Sequence, residues 1–290
     1  MALSTVALLL SQIERRSFAP ANQASFTDVE ILTIATEEMH SKIIPAILGA
    51  REEFYVAKKD LAITVDQQAY TIPDRSFNSV VREVQIIRSS LVEDIPRISL
   101  EDARYTSTGY PNAFFVQGDS VMLYPTPSGT QDTLRLHYYL PPGSFVEATD
   151  TAVISAINTS TKIVTVTSIP TSWVTGDVFD FVGKSGTHAY KEVDEASTLI
   201  SGSDITFGTL PSTLAVGDYI MPQGLSSLVQ MPDTMIPVLA QYTAAALLNY
   251  GGQPGGQEAE DLAVALLGRA IASITPRVTG ELEYFQNDWF

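Results

Sequence analysis

Apolar residues recur at helical spacing near both ends of this chain and at strand spacing between them. That order restricts the fold to one in which two helical ends flank a long β region. The first strong start signal is Thr27-Asp28-Val29-Glu30, a capping box with Phe26 and Ile31 placed for a hydrophobic staple. Ile31, Ile34, Ala35, Met39, Ile43, Ile47, Leu48, Phe54 and Tyr55 then follow at steps near three and four. This stripe predicts a helix to about Lys58, kinked or split by Pro45, whose ring and missing N–H disturb a helix interior. A shorter helix is expected over 3–14, closed by Arg15 and Arg16, whose charge suits a helix C-terminus. From Leu61 the period falls to two. Ala62–Val65 and Tyr70–Ile72 read as a hairpin about Asp66-Gln67-Gln68, and Val80–Ile87 as a longer strand. Ser99–Tyr105 reads as a short helix capped by Ser99. Ala113–Gln117, Ser120–Tyr124 and Thr133–Tyr139 read as strands, the first two joined by a tight turn at Gly118-Asp119. Helical spacing returns over Met235–Tyr250, with Asp233 as N-cap and Pro237 in the first turn. After the breaker Gly251–Gly256 it resumes over Gln257–Ile274.

Residues 150–225 are rich in Thr, Ser, Val and Ile with frequent turns, an all-β pattern. They contain an internal echo: Ile169-Pro170-Thr171-Ser172-Trp173-Val174-Thr175-Gly176-Asp177-Val178 resembles Leu210-Pro211-Ser212-Thr213-Leu214-Ala215-Val216-Gly217-Asp218-Tyr219. The expected fold class is therefore α+β: a helical bundle from N- and C-terminal helices, an antiparallel β region, and an inserted all-β barrel or sandwich with a pseudo-repeat. The corresponding divisions are 1–60, 61–149, 150–225, 226–275 and a docking tail over 276–290. That tail carries Val278, Leu282, Tyr284, Phe285, Trp289 and Phe290 without helical period. So many apolar side chains are costly to leave in water, so they are expected to dock on this chain or another.

The charge balance narrows the function. The formal net charge is −16, and the only adjacent basic pairs are Arg15–Arg16 and Lys58–Lys59. A chain that grips nucleic acid by its phosphates needs a basic patch. The acidic balance suits a solvated surface, or a wall past which DNA slides without sticking. The absence of cysteine excludes disulfides, thiolate metal sites and a cysteine nucleophile, and fits assembly in a reducing cytoplasm. No apolar run reaches membrane-spanning length. The apolar start lacks a basic region before it, so a packed first helix is expected there rather than a signal peptide.

Residue patterns for chemistry are lacking. His40, His137 and His188 have no partner at zinc spacing. Gly251–Gly256 lacks the Lys-Ser/Thr of a phosphate-binding loop and follows no strand. There is no Gly-x-Ser-x-Gly elbow, and Ser185 reads as a turn residue. The carboxylates Glu101-Asp102 and Glu258/Glu260/Asp261 fall at expected helix N-termini, where acids belong for dipole reasons. Asp177 and Asp218 follow glycine and read as turn formers rather than calcium ligands. No catalytic residue, metal or cofactor is expected.

A family resemblance emerges from the β region. Tyr70-Thr71-Ile72-Pro73-Asp74, Val80 with Arg82-Glu83-Val84, Gly118-Asp119-Ser120-Val121-Met122-Leu123-Tyr124-Pro125-Thr126-Pro127 and Leu134-Arg135-Leu136-His137-Tyr138-Tyr139-Leu140-Pro141-Pro142 follow one another in an order that resembles the head-to-tail adaptor (head completion or connector) proteins of tailed bacteriophages. Val216-Gly217-Asp218-Tyr219, two further helices and Pro276-Arg277-Val278 with Gly280 are similar to longer members. The resemblance implies a structural ring subunit, usually in twelve copies, that lies in the virion neck. Such a ring joins the portal protein to a downstream tail or nozzle protein and passes genomic DNA without sequence-specific binding. It also implies that the C-terminal tail grips the portal, through Val278, Leu282, Tyr284, Phe285, Trp289 and Phe290. This chain departs from the family where its tail is acidic and aromatic rather than basic. The competing readings are another tail structural protein (nozzle, tube terminator or fibre-attachment subunit) and, in a third class, an enzyme or carbohydrate-binding module.

Overall fold

The computed structural model describes residues 5–17, 26–89, 91–103, 107–129 and 132–275. The chain begins with α1 (Val6–Ser17) and α2 (Asp28–Glu38), continues through a π-helical turn (Met39–Ile43) into α3 (Ile44–Ala50), and then turns to strand. The capping box forms at α2: the Glu30 amide donates to Thr27 Oγ1 at 3.3 Å, and the Thr27 amide donates to the Glu30 carboxylate at 2.7 Å. Thr27→Ala is expected to cost about 1 kcal/mol, the usual loss for an N-cap hydroxyl. A lowered urea midpoint with unchanged slope is the readout.

At Pro45 the expected helix is divided, with a π-helical turn between α2 and α3. A proline ring clashes with the carbonyl four residues earlier. The π turn removes that conflict by adding a residue to the turn before it, so that the Ile44 amide donates to Met39 O instead. The helix stops at Ala50 rather than near Lys58. Phe54 and Tyr55 continue the apolar stripe but pack on the helical core from a turn, where Tyr55 has φ 59° and its hydroxyl donates to Gln230 O at 3.1 Å.

The β region runs through β1 (Val56–Ala62), β2 (Ala69–Thr71), β3 (Val81–Arg88), β4 (Leu91–Asp94), β5 (Thr108–Gly109), β6 (Ala113–Gln117), β7 (Ser120–Tyr124), β8 (Thr126–Pro127) and β9 (Thr133–Tyr139). One antiparallel sheet has the order β1-β9-β3-β4 and a second the order β2-β7-β6. The expected Ala62–Val65 strand therefore does not form, since strand pairing ends at Ala62, and no hairpin with β2 results. β1 finds its partner more than seventy residues on and β2 about fifty on; in the connection between them the Thr64 amide donates to the Tyr70 hydroxyl at 3.0 Å. β9 buries Leu134, Leu136 and Tyr138 in strict alternation, as a strand with one face on a core must. Ile63, Tyr70, Ile72, Val84, Ile86, Phe114 and Leu123 complete that core. Ser99 and Asp102 exchange the bonds of a helix cap, yet only a turn is present through Ala103; residues 104–106 lie outside the described ones.

After β10 (Ser144–Phe145) comes a closed barrel of β11 (Ala152–Asn158), β12 (Ile163–Val166), β13 (Val178–Val182), β14 (Tyr190–Ser201), β15 (Asp204–Phe207) and β16 (Tyr219–Pro222), in the order β11-β12-β15-β14-β13-β16. Closure leaves no unpaired edge. Its core is aromatic: Phe179 packs on Trp173 and Phe207, and Phe181 on Phe207, with ring centroids 4.6–6.2 Å apart. The turns before β13 and β16 are built alike. The amides of Val174 and Ala215 each donate to the aspartate three residues on at 2.7 Å, and Gly176 and Gly217 take φ 97° and 91°.

β17 (Leu225–Ser226) pairs in parallel with β10, and the chain closes with α4 (Ile236–Tyr250) and α5 (Gly256–Ile274). A 3₁₀ turn over Asp233–Met235 precedes α4, so Met235 and not Asp233 holds the N-cap position. α4 is buried on nearly every side, and helices from both ends share one core that includes Leu9, Ile13, Ile43, Ile47, Leu239 and Ala263.

Candidate functional site

Three places join these parts or lie open between them. The first is a clamp. Asp180 interrupts the apolar run Val178-Phe179-Asp180-Phe181-Val182, and its side chain is fully buried. Arg75, on the loop after β2, meets it in a fork: Nη1 donates to Oδ1 at 2.8 Å and Nη2 to Oδ2 at 2.7 Å. The same guanidinium donates to Asp194 at 2.8 Å. Asp180 also accepts from the amides of Asp194 at 3.1 Å and Gly224 at 3.0 Å. Burial alone would lower the arginine's pKa. The hydrogen bonds and charge of Asp180, aided by Asp194, outweigh it and raise the value above the ordinary one. Burial also pushes up the Tyr190 hydroxyl, and the Asp180 charge adds to this; the Arg75 guanidinium lies 5.8 Å from that ring's centroid. A planar, bidentate ion pair with its remaining lone pairs used by amides joins β13 and β14 of the barrel to the loop after β2.

The second place is a cleft of about 570 Å³ between β1 and the start of β14. Its wall includes Tyr55, Lys58, His137, His188, Lys191 and Gln230. Several of its polar groups already hold elements together. His188 Nδ1 meets Gly183 O at 2.9 Å, and Gln230 donates to His188 O at 2.9 Å. Lys191 donates to Asp218 at 2.7 Å and to Thr213 O at 2.6 Å. His137 Nε2 lies 3.2 Å from Gln85 Oε1. His40 sits elsewhere, in the π turn; burial lowers its pKa, opposed by the Pro142 backbone. Among the described residues no three His, Asp or Glu side chains gather as a metal site.

The third is surface. β4 is a sheet edge with all four residues exposed, and it presents Leu91 and Val92 beside Glu93 and Asp94. Charged residues on an exposed edge discourage indiscriminate strand pairing. A groove between α3 and α5 is lined mainly by small and apolar residues. The expected docking residues Val278, Leu282, Tyr284, Phe285, Trp289 and Phe290 lie outside the described residues.

Sequence reasoning missed Arg75, Asp180 and Asp194. A signal for one of them was present: a lone carboxylate in an otherwise apolar strand needs a cationic partner or several donors. The motifs behind the resemblance do converge, since β2, β3, β7 and β9 contribute Tyr70, Val84, Val121 and Leu136 to one core. No described helix is long and apolar enough to cross a membrane.

No curated protein matches this chain. A family model described as SU10 adaptor protein matches residues 5–178. The match runs from the start of the described chain through both sheets and into the barrel, ending at the first residue of β13. With more than half its length matched, this chain belongs to the SU10 adaptor family, structural head-to-tail adaptor proteins of tailed phages.

Proposed function

We propose that the chain is one subunit of a closed ring in the virion neck, in twelve copies, that connects the portal to the next tail or nozzle protein. The family match over residues 5–178 is the observation that carries this reading. In it, the helices of the two ends act as a bundle that forms the ring body, and the barrel projects as a separate module toward a neighbour. The pairing pattern supports a duplicated module: exchanging β11, β12 and β13 for β14, β15 and β16 leaves the set of barrel pairings unchanged. The divisions 1–60, 61–149, 150–225, 226–275 and 276–290 correspond to bundle, β region, module, helical hairpin and tail. A ring multiplies the charge of −16, and an acidic lumen repels phosphate, so the genome passes without adhering. Assembly in the host cytoplasm, before the virion leaves, is consistent with a cysteine-free chain.

Tyr284, Phe285, Trp289 and Phe290 are proposed as the portal anchors, with Val278 and Leu282 beside them. Desolvated tryptophan and tyrosine dominate interface energies. Deleting residues 279–290 is expected to weaken portal binding on the order of thirtyfold, the equivalent of one anchor worth about 2 kcal/mol. Sedimentation with purified portal measures this, and a particle reconstruction locates the chain. Unchanged affinity would remove the anchor assignment. Density for this chain away from the head–tail junction would remove the ring reading.

A further inference from the structure

The groove between α3 and α5 is an open apolar trough of about 540 Å³. Ala46, Gly49 and Ala50 form one wall, and Leu267, Gly268 and Ile271 the other. Among the described residues, a Cβ built on either Gly49 or Gly268 meets nothing within 4 Å, so both glycines face space that these residues leave open. Val264, which also lines it, is 57% exposed. Small residues with empty volume above them suit large side chains brought from elsewhere.

We infer that the occupant is the chain's own C-terminal segment, with Leu282, Tyr284 and Phe285 laid into the trough of the same protomer. Three observations point to this segment. First, the described chain ends at the trough: Thr275 lines it and leaves α5 in an extended conformation, as a residue before proline does. Second, the lengths fit. Along α5 the trough runs from Val264 to Thr275, roughly 16 Å at 1.5 Å per residue. Residues 276–280, opened by Pro276 and closed by Gly280, are enough for a reversal, since helix connections of about 2–8 residues are usual. Residues 281–290 then reach roughly 33 Å when extended. Third, the segment carries Glu281, Glu283 and Asp288, and two arginines adjoin lining residues in sequence, Arg51 after Ala50 and Arg269 after Gly268. The Arg51 guanidinium stacks on the Phe54 ring at 5.1 Å, with Glu53 at 3.6 Å. A tethered segment also acts at the millimolar effective concentration of a short linker, which favours it over a second copy.

This inference does not depend on the ring assignment. If both hold, the two sites compete, because one set of aromatic side chains cannot fill the trough and a portal pocket together.

The test uses the full-length protein, which has no native thiol to interfere. Leu267→Cys with Phe285→Cys, oxidised in dilute solution, is expected to give an intramolecular bond: a faster-migrating single chain on a non-reducing gel. Filling the trough with Gly268→Leu is expected to abolish that bond. In the otherwise native chain, Gly268→Leu is expected to speed trypsin cleavage after Arg277 on the order of tenfold. Gly49→Leu serves as the second filling variant should Gly268→Leu fold poorly. A disulfide only between differently tagged chains would overturn the inference in favour of a second copy. A folded double-cysteine protein with no disulfide, or filling variants with unchanged cleavage, would overturn it outright. Failure of the reduced, otherwise native chain to bind portal would bear on the ring reading alone.

Discussion

Arg75→Ala is expected to destabilise the protein by about 3–5 kcal/mol, the usual range for breaking a buried ion pair by removing one partner. The cost comes mostly from what remains. Asp180 is wholly inaccessible to water, and without Arg75 its carboxylate keeps only the amides of Asp194 and Gly224. Asp194 loses its guanidinium partner as well, though Gln223 still donates to it at 2.6 Å. Adding Asp180→Asn to Arg75→Ala removes the unpaired charge and is expected to recover at least about 1 kcal/mol. Urea unfolding of wild type, single and double variants gives the coupling directly. A single variant within about 1 kcal/mol of wild type would show that the clamp is not what holds the barrel to the β2 loop.

The second large effect is expected at Gly143. A Cβ there would lie 2.8 Å from Gly224 O and from Leu225 C, and 2.9 Å from Gly224 C. These are all backbone atoms, so no side chain can swing aside. Overpacking of a well-packed site costs about 1–3 kcal/mol, and Gly143→Ala belongs at the top of that range. The loss should be local as well as global. The parallel β10–β17 pair carries the bonds from Ser144 N to Gly224 O at 2.8 Å and from Val146 N to Ser226 O at 3.0 Å. Phe145 N donates to Thr36 Oγ1 of α2 at 3.0 Å, so the same few residues tie barrel to helices. Hydrogen exchange at Ser144 and Val146 should accelerate in the variant. Gly208→Ala, where an added Cβ meets nothing within 4 Å, is the control and should stay within about 0.5 kcal/mol of wild type. Equal effects at the two glycines would show that close approach is not the cause.

Much of the local structure was legible because it rests on neighbours in sequence. β6, β7 and β9 lie where alternation put them, and the Gly118-Asp119 turn has its glycine at φ 58°. The capping box at Thr27 and Glu30 is complete within four residues, and nothing distant need cooperate for it to form. Two of the misreadings share one physical origin. Phe54 and Tyr55 have helical spacing because the helical core takes them, but they reach it from a turn. β1 and β2 flank a good turn, yet each pairs with a distant strand whose apolar face completes a larger core.

The candidate site was less legible than the fold. The tail residues were singled out by composition, since aromatic side chains on an aperiodic segment must bury somewhere. The clamp was not, because an aspartate in a strand and an arginine in a loop are unremarkable until the fold brings them within 2.8 Å across 105 positions.

The amino-acid order by itself determined where many of the helices and strands form, the capping box of α2, the Gly118-Asp119 turn and the net charge of −16. Those properties depend on spacing, on φ preferences and on net charge, all local or additive. The tertiary structure alone decided which strands pair, that β11–β16 close on themselves, that Gly143 must have no side chain and that Asp180 is held by Arg75. Each of these is a contact between distant segments, and its energy exists only once the packing of the rest has set the distance.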